Sequence, residues 1–268
     1  MATSSDGFKL HIKNWLIKDA KASLLLVHGL GEHSARYEHV AQALNSSGIN
    51  VYSFDLKGHG LSEGPRAFVR DISEFRLDLE TIYQQIPKGV PLFMLGHSMG
   101  GLIITDYLLE SPKTNLKGVI LTGPALEAGE DINAFKKVLI KILNWISPNI
   151  RTVKLDPNSI SSDKGEVKKY INDPLIFHEA GKAGMGVALL SAMAIVKPKF
   201  NSFDYPVLIM HGGADKITNI TGSKRLYAKS PSEDKEIKIW DKGFHEIFNE
   251  TNKSEVIAHM TSWLSARV

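Results

Sequence analysis

Four stretches of this chain run apolar with little interruption, and each stops at a small residue. Residues 23–27 end at His28-Gly29, and residues 91–95 end at Gly96. Residues 116–122 close at Gly123-Pro124, and residues 207–210 end at His211-Gly212. Short apolar runs of this kind suit strands buried on both faces, as in the middle of a parallel sheet. Residues 49–54 form a further strand, which ends in Asp55-Leu56-Lys57-Gly58-His59-Gly60. Residues 236–240 alternate, and residues 8–17 alternate loosely, as a half-exposed edge strand would.

Helical spacing fills the gaps between these strands. Tyr37, Val40, Ala41 and Leu44 share one face over residues 36–47, and Gly48 stops that helix. Ile72, Phe75, Leu79 and Ile82 do the same over 71–85, and residues 101–109 continue a helix after Gly100. Residues 221–229 and 255–264 give two more. Strands alternating with helices predict an α/β fold with a mostly parallel central sheet and helices on both faces. The rhythm breaks between Pro124 and Pro206, where residues 135–146, 165–172 and 184–196 read as helices and no buried strand intervenes. This is expected to be a helical cap, inserted at about 125–203 over the C-terminal edge of the sheet in a single domain spanning 1–268.

Gly96-His97-Ser98-Met99-Gly100 sits where a buried strand passes directly into a helix. G-x-S-x-G in that context predicts a nucleophile elbow. The turn exposes the Ser98 hydroxyl, and small residues two before and two after leave room for the strained backbone. Serine needs a base, and the expected chain order is Ser, then an acid, then His. Of ten histidines, His245 alone follows Ser98 in a turn directly after a strand. Asp215 follows the 207–210 strand one βαβ unit earlier; Asp241 is too near His245 in sequence, and Asp204 precedes its strand. The oxyanion donors are expected to be the N–H groups of Met99 and of Leu30, which lies between Gly29 and Gly31 after the first buried strand.

Composition narrows the remaining choices. With 268 residues and 43% hydrophobic content the chain can build a sizeable core. A net charge of +3 without long basic runs gives no reason to expect nucleic acid. The absence of cysteine excludes disulfides, thiolate metal sites and a cysteine nucleophile. No metal or cofactor is called for. Gly58-His59-Gly60 with Gly64 misses the dinucleotide spacing by one place. No secretory leader is visible and no apolar run approaches the ~20 residues of a bilayer span. The expectation is a cytoplasmic protein that touches membranes, if at all, from their surface.

The motifs resemble those of the monoacylglycerol lipase family of the α/β-hydrolases. His28-Gly29-Leu30-Gly31-Glu32-His33-Ser34-Ala35-Arg36-Tyr37 carries the likeness, with Gly96-His97-Ser98-Met99-Gly100-Gly101, Asn172-Asp173-Pro174-Leu175 and Gly213-Ala214-Asp215. The resemblance implies a serine hydrolase cleaving monoacylglycerols, or related lipid esters, to fatty acid and glycerol through an acyl-enzyme on Ser98. It also implies that Glu32, Arg36 and Tyr170 hold the glycerol end. Phe248 departs from the pattern, standing where some members carry a second histidine. An acyl chain would need an apolar tunnel, for which Leu139, Leu143, Leu189 and Leu190, with Ile142 and Met193, are the cap's candidates. An apolar cap face would also allow peripheral membrane contact. The alternatives are a lysophospholipase or broad carboxylesterase, then an amide hydrolase or a non-catalytic lipid-binding protein.

Overall fold

The computed structural model describes residues 1–111 and 115–268. A small antiparallel pair, β1 (Ala2–Thr3) and β2 (Lys9–Leu10), precedes the main sheet. That sheet contains β3 (Ile12–Trp15), β4 (Ala22–Val27), β5 (Ile49–Phe54), β6 (Leu92–His97), β7 (Gly118–Thr122), β8 (Val207–Gly212) and β9 (Lys235–Trp240). Its order is β3-β5-β4-β6-β7-β8-β9, and only the edge pair β3–β5 is antiparallel.

The continuous apolar runs are explained by what lies on the two faces. In β4, Leu25 and Val27 enter one core cluster while Ala22, Leu24 and Leu26 enter the other. β6, β7 and β8 split in the same way, with Met94, Val119, Leu121, Val207 and Ile209 against Phe93, Leu95, Ile120, Leu208 and Met210. A period of two sends neighbours to opposite faces, and here both faces are dry. On one face lie α2 (Ser73–Tyr83) and α3 (Met99–Glu110), and on the other α1 (Glu38–Ser46) and α8 (Lys253–Ser265). α7 (Ile220–Lys229) packs beside β8 and β9.

Between β7 and β8 the chain runs through α4 (Ala134–Ile146), α5 (Lys164–Asn172) and α6 (Ala183–Val196) and adds no strand to the main sheet. α6 anchors this insertion, packing on α3 of the body and on α4. Ala183, Met185, Ala188, Ala192 and Val196 of α6 are buried. Leu189, Leu190 and Met193 of α6 line a cavity, and Ile195 is exposed. With the 3₁₀ turn that continues it, Ala183–Ser202 is long and apolar enough, by length and composition only, to cross a membrane. The apolar run counted in the sequence is shorter because Lys197 and Lys199 interrupt it. In this structure α6 packs on α3 and α4.

Candidate active site

The C-terminal ends of β4, β6, β8 and β9 lie along one edge of the sheet, with β7 between β6 and β8, and the loops leaving them meet. Ser98 follows β6 and opens α3 with φ +53° and ψ −117°, a strained region for a non-glycine residue. The turn fits because nothing projects from its neighbours. A Cβ on Gly100 would lie 2.2 Å from the carbonyl oxygen of Val27, and one on Gly96 would lie 2.6 Å from that of Gly100. The positive end of α3 is thereby brought to the nucleophile position.

Asp215 and His245 come from loops that abut. A Cβ on Gly212 would fall 2.0 Å from the Phe244 carbonyl oxygen, and Ala214 N–H donates to the Gly243 carbonyl at 2.9 Å. That approach sets His245 Nδ1 2.7 Å from Asp215 Oδ2. The other Asp215 oxygen accepts the N–H groups of Ile217 (2.7 Å) and Thr218 (3.1 Å). The Thr218 hydroxyl donates to Oδ2 at 2.8 Å, and His211 Nε2 lies 3.2 Å away. Burial works against the Asp215 carboxylate, but His245 and His211 outweigh it and hold the carboxyl far below its usual range. Burial likewise lowers His245, and the Asp215 charge overrides it, so the imidazole titrates above the ordinary histidine value. Asp204 and Asp241 are exposed.

His97 packs against His245 with ring centroids 4.7 Å apart, and its Nδ1–H donates to the Thr122 carbonyl at 3.1 Å. Burial, then the neighbouring His245, pushes its pKa down to about 4, so this ring stays neutral. His28 is also a structural histidine. Its Nδ1–H donates to the Gly29 carbonyl and its Nε2 accepts from Leu56 N–H, tying the loops after β4 and β5 together.

The loop after β4 is pinned on both sides of Leu30. Gly29 N–H donates to Glu32 Oε1 at 2.7 Å, and Phe177 N–H donates to the Gly31 carbonyl at 2.8 Å. Asp173 of the Asn172-Asp173-Pro174-Leu175 segment meets His33 Nε2 at 2.9 Å, and Arg66 donates to the Leu175 carbonyl. The insertion is thus strapped to the loop that carries Leu30.

Gly29, Leu30, Ser98, Met99 and His245 share the wall of a cavity of about 350 Å³. Ala125, Ile140, Ile160, Phe177, Met185, Leu189, Leu190, Met193 and Ile217 make most of it apolar, within the size range of ligand pockets. Glu32, Tyr170 and Glu246, tied together through Arg36, supply one polar cluster, and Glu127, Asp131, Lys154, Asp156, Glu179, Lys182 and Lys216 line the cavity as well. The structure therefore brings Ser98, His245, Leu30, Met99, Glu32, Tyr170, Leu189 and Leu190 to one cavity, with Asp215 directly behind His245.

Two expectations need correction. Leu139 and Leu143 are not on the cavity wall; Leu139 is exposed, and Ile140 is the α4 residue that turns inward. Arg36 does not reach the wall either. Its Nη1 donates to Glu32 Oε2 and Glu246 Oε1, both at 2.7 Å, and its Nη2 to Glu246 Oε2 at 2.6 Å. Phe248 is buried in the core beneath α1 and α8, away from the cavity. Thr218, His211 and Glu246 were missed. The hydroxyl three residues after the acid, and the carboxylate next to the base, were the available signals.

A serine on a strand-to-helix elbow, with a buried Asp–His pair at the same sheet edge, defines an α/β-hydrolase. Residues 18–252 match the family described as serine aminopeptidase, S33. The chain is 35% identical to the monoglyceride lipase of Rattus norvegicus, over 99% of this chain and 89% of that protein. It superposes on the crystal structure of Paleococcus ferrophilus monoacylglycerol lipase with a TM-score of 0.88 and 31% identity, covering 97% of this chain and 100% of that one. A soluble variant of monoglyceride lipase from Saccharomyces cerevisiae, solved with a substrate analog, also gives a TM-score of 0.88, at 28% identity over 100% of this chain and 95% of that one. The chain belongs to the monoglyceride lipase family and is a carboxylic ester hydrolase.

Proposed function

We propose that this enzyme cleaves monoacylglycerols to fatty acid and glycerol, with Ser98, His245 and Asp215 as its catalytic triad. The observation that carries the reading is the cavity: a largely apolar wall that also carries Ser98, His245 and the Glu32–Tyr170–Glu246 cluster. Each buried methylene of an acyl chain is worth roughly 0.8 kcal/mol, so a chain along Leu189, Leu190, Met193, Met185 and Ile140 needs no polar help. Glu32 and Tyr170 are placed to meet the hydroxyls of the head.

In this reading Ser98 Oγ attacks the ester carbonyl carbon while its proton passes to His245 Nε2. The N–H groups of Leu30 and Met99 stabilise the oxyanion. The glycerol oxygen departs with the proton from His245, leaving an acyl-serine. Water then adds with His245 again as base, and the fatty acid is released. Asp215 fixes the tautomer that leaves Nε2 free to accept. The domain boundary follows from the same reading: one hydrolase domain over 1–268, with residues from about 125 to 203 as its cap.

A panel of monoacylglycerol, lysophosphatidylcholine and nitrophenyl esters of equal chain length tests the substrate. Monoacylglycerol is expected to give the highest kcat/KM. Faster turnover of the choline lipid would make the enzyme a lysophospholipase instead.

Membrane contact through the cap is the second part of the proposal, and α4 supports it. Phe135 (74%), Val138 (55%), Ile142 (50%), Trp145 (86%) and Ile146 (62%) are exposed on it, interleaved with Lys136, Lys137 and Lys141. An apolar helix face with flanking lysines is the composition of an interfacial helix. It suits a cytoplasmic enzyme that visits a lipid surface for its substrate. The double substitution Phe135→Ser with Trp145→Ser is expected to reduce co-flotation with anionic liposomes about tenfold. Unchanged flotation would remove α4 from this role.

A further inference from the structure

The polar end of the cavity has a sign. Glu32 and Glu246 are both on the wall, and both are buried. Burial would raise the Glu32 carboxyl, but Arg36, then His97 and His28 and the Gly29 N–H, hold it down at about 2, so it is charged. The cation bonded to both acids is spent inward, and the three lysines elsewhere on the wall, Lys154, Lys182 and Lys216, stand against four further carboxylates, Glu127, Asp131, Asp156 and Glu179. Both terminal nitrogens of Arg36 are taken by these carboxylates, and the Tyr170 ring covers its guanidinium, 5.0 Å from Cζ. Asn249 Nδ2 donates to Glu246 Oε2 at 2.7 Å, and Tyr37 OH and Gly29 N–H donate to Glu32 Oε1, which fixes the acids in place. Two carboxylates against one guanidinium leave one net negative charge, and Asp215 adds another behind His245. His28 and His97 are buried with lowered pKa values and add no net charge at neutral pH.

We propose that Glu246, acting with Glu32, makes the head-group end of this cavity a filter against anions. Esters with a neutral head enter, and esters carrying a carboxylate or phosphate next to the scissile bond are rejected. The inference deepens the reading of the cavity as an ester-cleaving site and rests on it. The same field weakens the hold on the fatty acid anion formed at Ser98. Each close uncompensated carboxylate in a partly buried site is expected to change the affinity of a unit anion by about tenfold.

Two isosteric substrates isolate the charge: the decanoyl ester of glycolate and the decanoyl ester of glycolamide. Wild type is expected to prefer the neutral ester by about a hundredfold in kcat/KM. Glu246→Gln is expected to shrink that ratio about tenfold, chiefly through KM for the anionic ester. The ratio within each variant is the readout, so a general loss of activity does not disturb it. Should Glu246→Gln fail to fold, inhibition of nitrophenyl ester turnover in the wild type by decanoate and by decanamide gives the same comparison. The amide is expected to bind at least about tenfold more tightly. A glycolate-to-glycolamide ratio near one in the wild type, a ratio unchanged by Glu246→Gln, or equal inhibition by the two decanoyl compounds would overturn the filter. Failure to hydrolyse monoacylglycerol while glycolamide and nitrophenyl esters are turned over would overturn the substrate reading alone and leave the filter standing.

Discussion

Replacing Ser98 with alanine is expected to lower kcat/KM for any ester by about 10⁵- to 10⁶-fold and to abolish labelling by a fluorophosphonate probe. The size of the effect follows from the mechanism. Without Oγ no acyl-enzyme can form, and His245 has no proton to accept. Only binding and the oxyanion donors remain, which give ~10³–10⁴-fold over water. The fold should survive, because alanine can occupy the backbone of Ser98 at the same strain and no buried partner of its hydroxyl is lost. Circular dichroism and thermal midpoint should therefore match the wild type. Continued labelling of the alanine variant would place the nucleophile on another serine.

Asp215→Asn is expected to cost about 10⁴-fold in kcat, although the change is one atom. The reason lies in the fixed surroundings of the carboxylate. Two backbone N–H groups, from Ile217 and Thr218, donate to Asp215 Oδ1. An asparagine there will keep its carbonyl toward those donors and turn its NH₂ to the Oδ2 position, 2.7 Å from His245 Nδ1. The imidazole must then accept at Nδ1 and carry its proton on Nε2, which is the tautomer that cannot take the serine proton.

The pH profile gives an independent check. In the wild type the acid limb should lie above the ordinary histidine value, because Asp215 outweighs the lowering by burial. In the variant the largest raising influence is gone and only the more distant Glu246 and Glu32 charges oppose burial, so the acid limb of the residual activity should move down. Stability follows the same pair. The Asp215 carboxyl is depressed, so its contribution is present above about pH 4 and is lost as the pH falls. His245 is raised, so its contribution is full below about pH 6.5 and is lost as the pH rises through its folded value. The stability difference between wild type and Asp215→Asn should be largest between those limits. A pH-independent difference would mean the pair is not ionised as described.

The sheet was legible because its central strands are dry on both faces, and nothing else in a chain this long produces several short uninterrupted apolar runs. The positions of Ser98, Asp215 and His245 were legible because each follows such a run directly. The cap was harder. The pattern of α4 shows that the helix has an apolar side, and the ordinary assumption turns that side toward the protein. Here Ile140 alone is buried while Phe135, Val138, Leu139 and Ile142 are exposed, so Leu139 lies on the solvent side and Leu143 stays half-buried away from the cavity. Periodicity gives the existence of two faces and not which one meets solvent. Arg36 failed for a different reason. Its capture by Glu246 joins loops 210 residues apart, and no local spacing announces such a contact.

The two-sided apolar helix α6 also bears on how the enzyme could change its diet. Its buttressing residues, Ala188, Ala192 and Val196, are buried, while its cavity residues, Leu189, Leu190 and Met193, are interleaved with them and only partly buried, Leu189 and Met193 at the margin of the same core. Altering the second set reshapes the acyl slot while the first still holds the rod to α3. Chain-length preference can therefore drift, or be redesigned, one side chain at a time, without repeatedly risking the integrity of the scaffold.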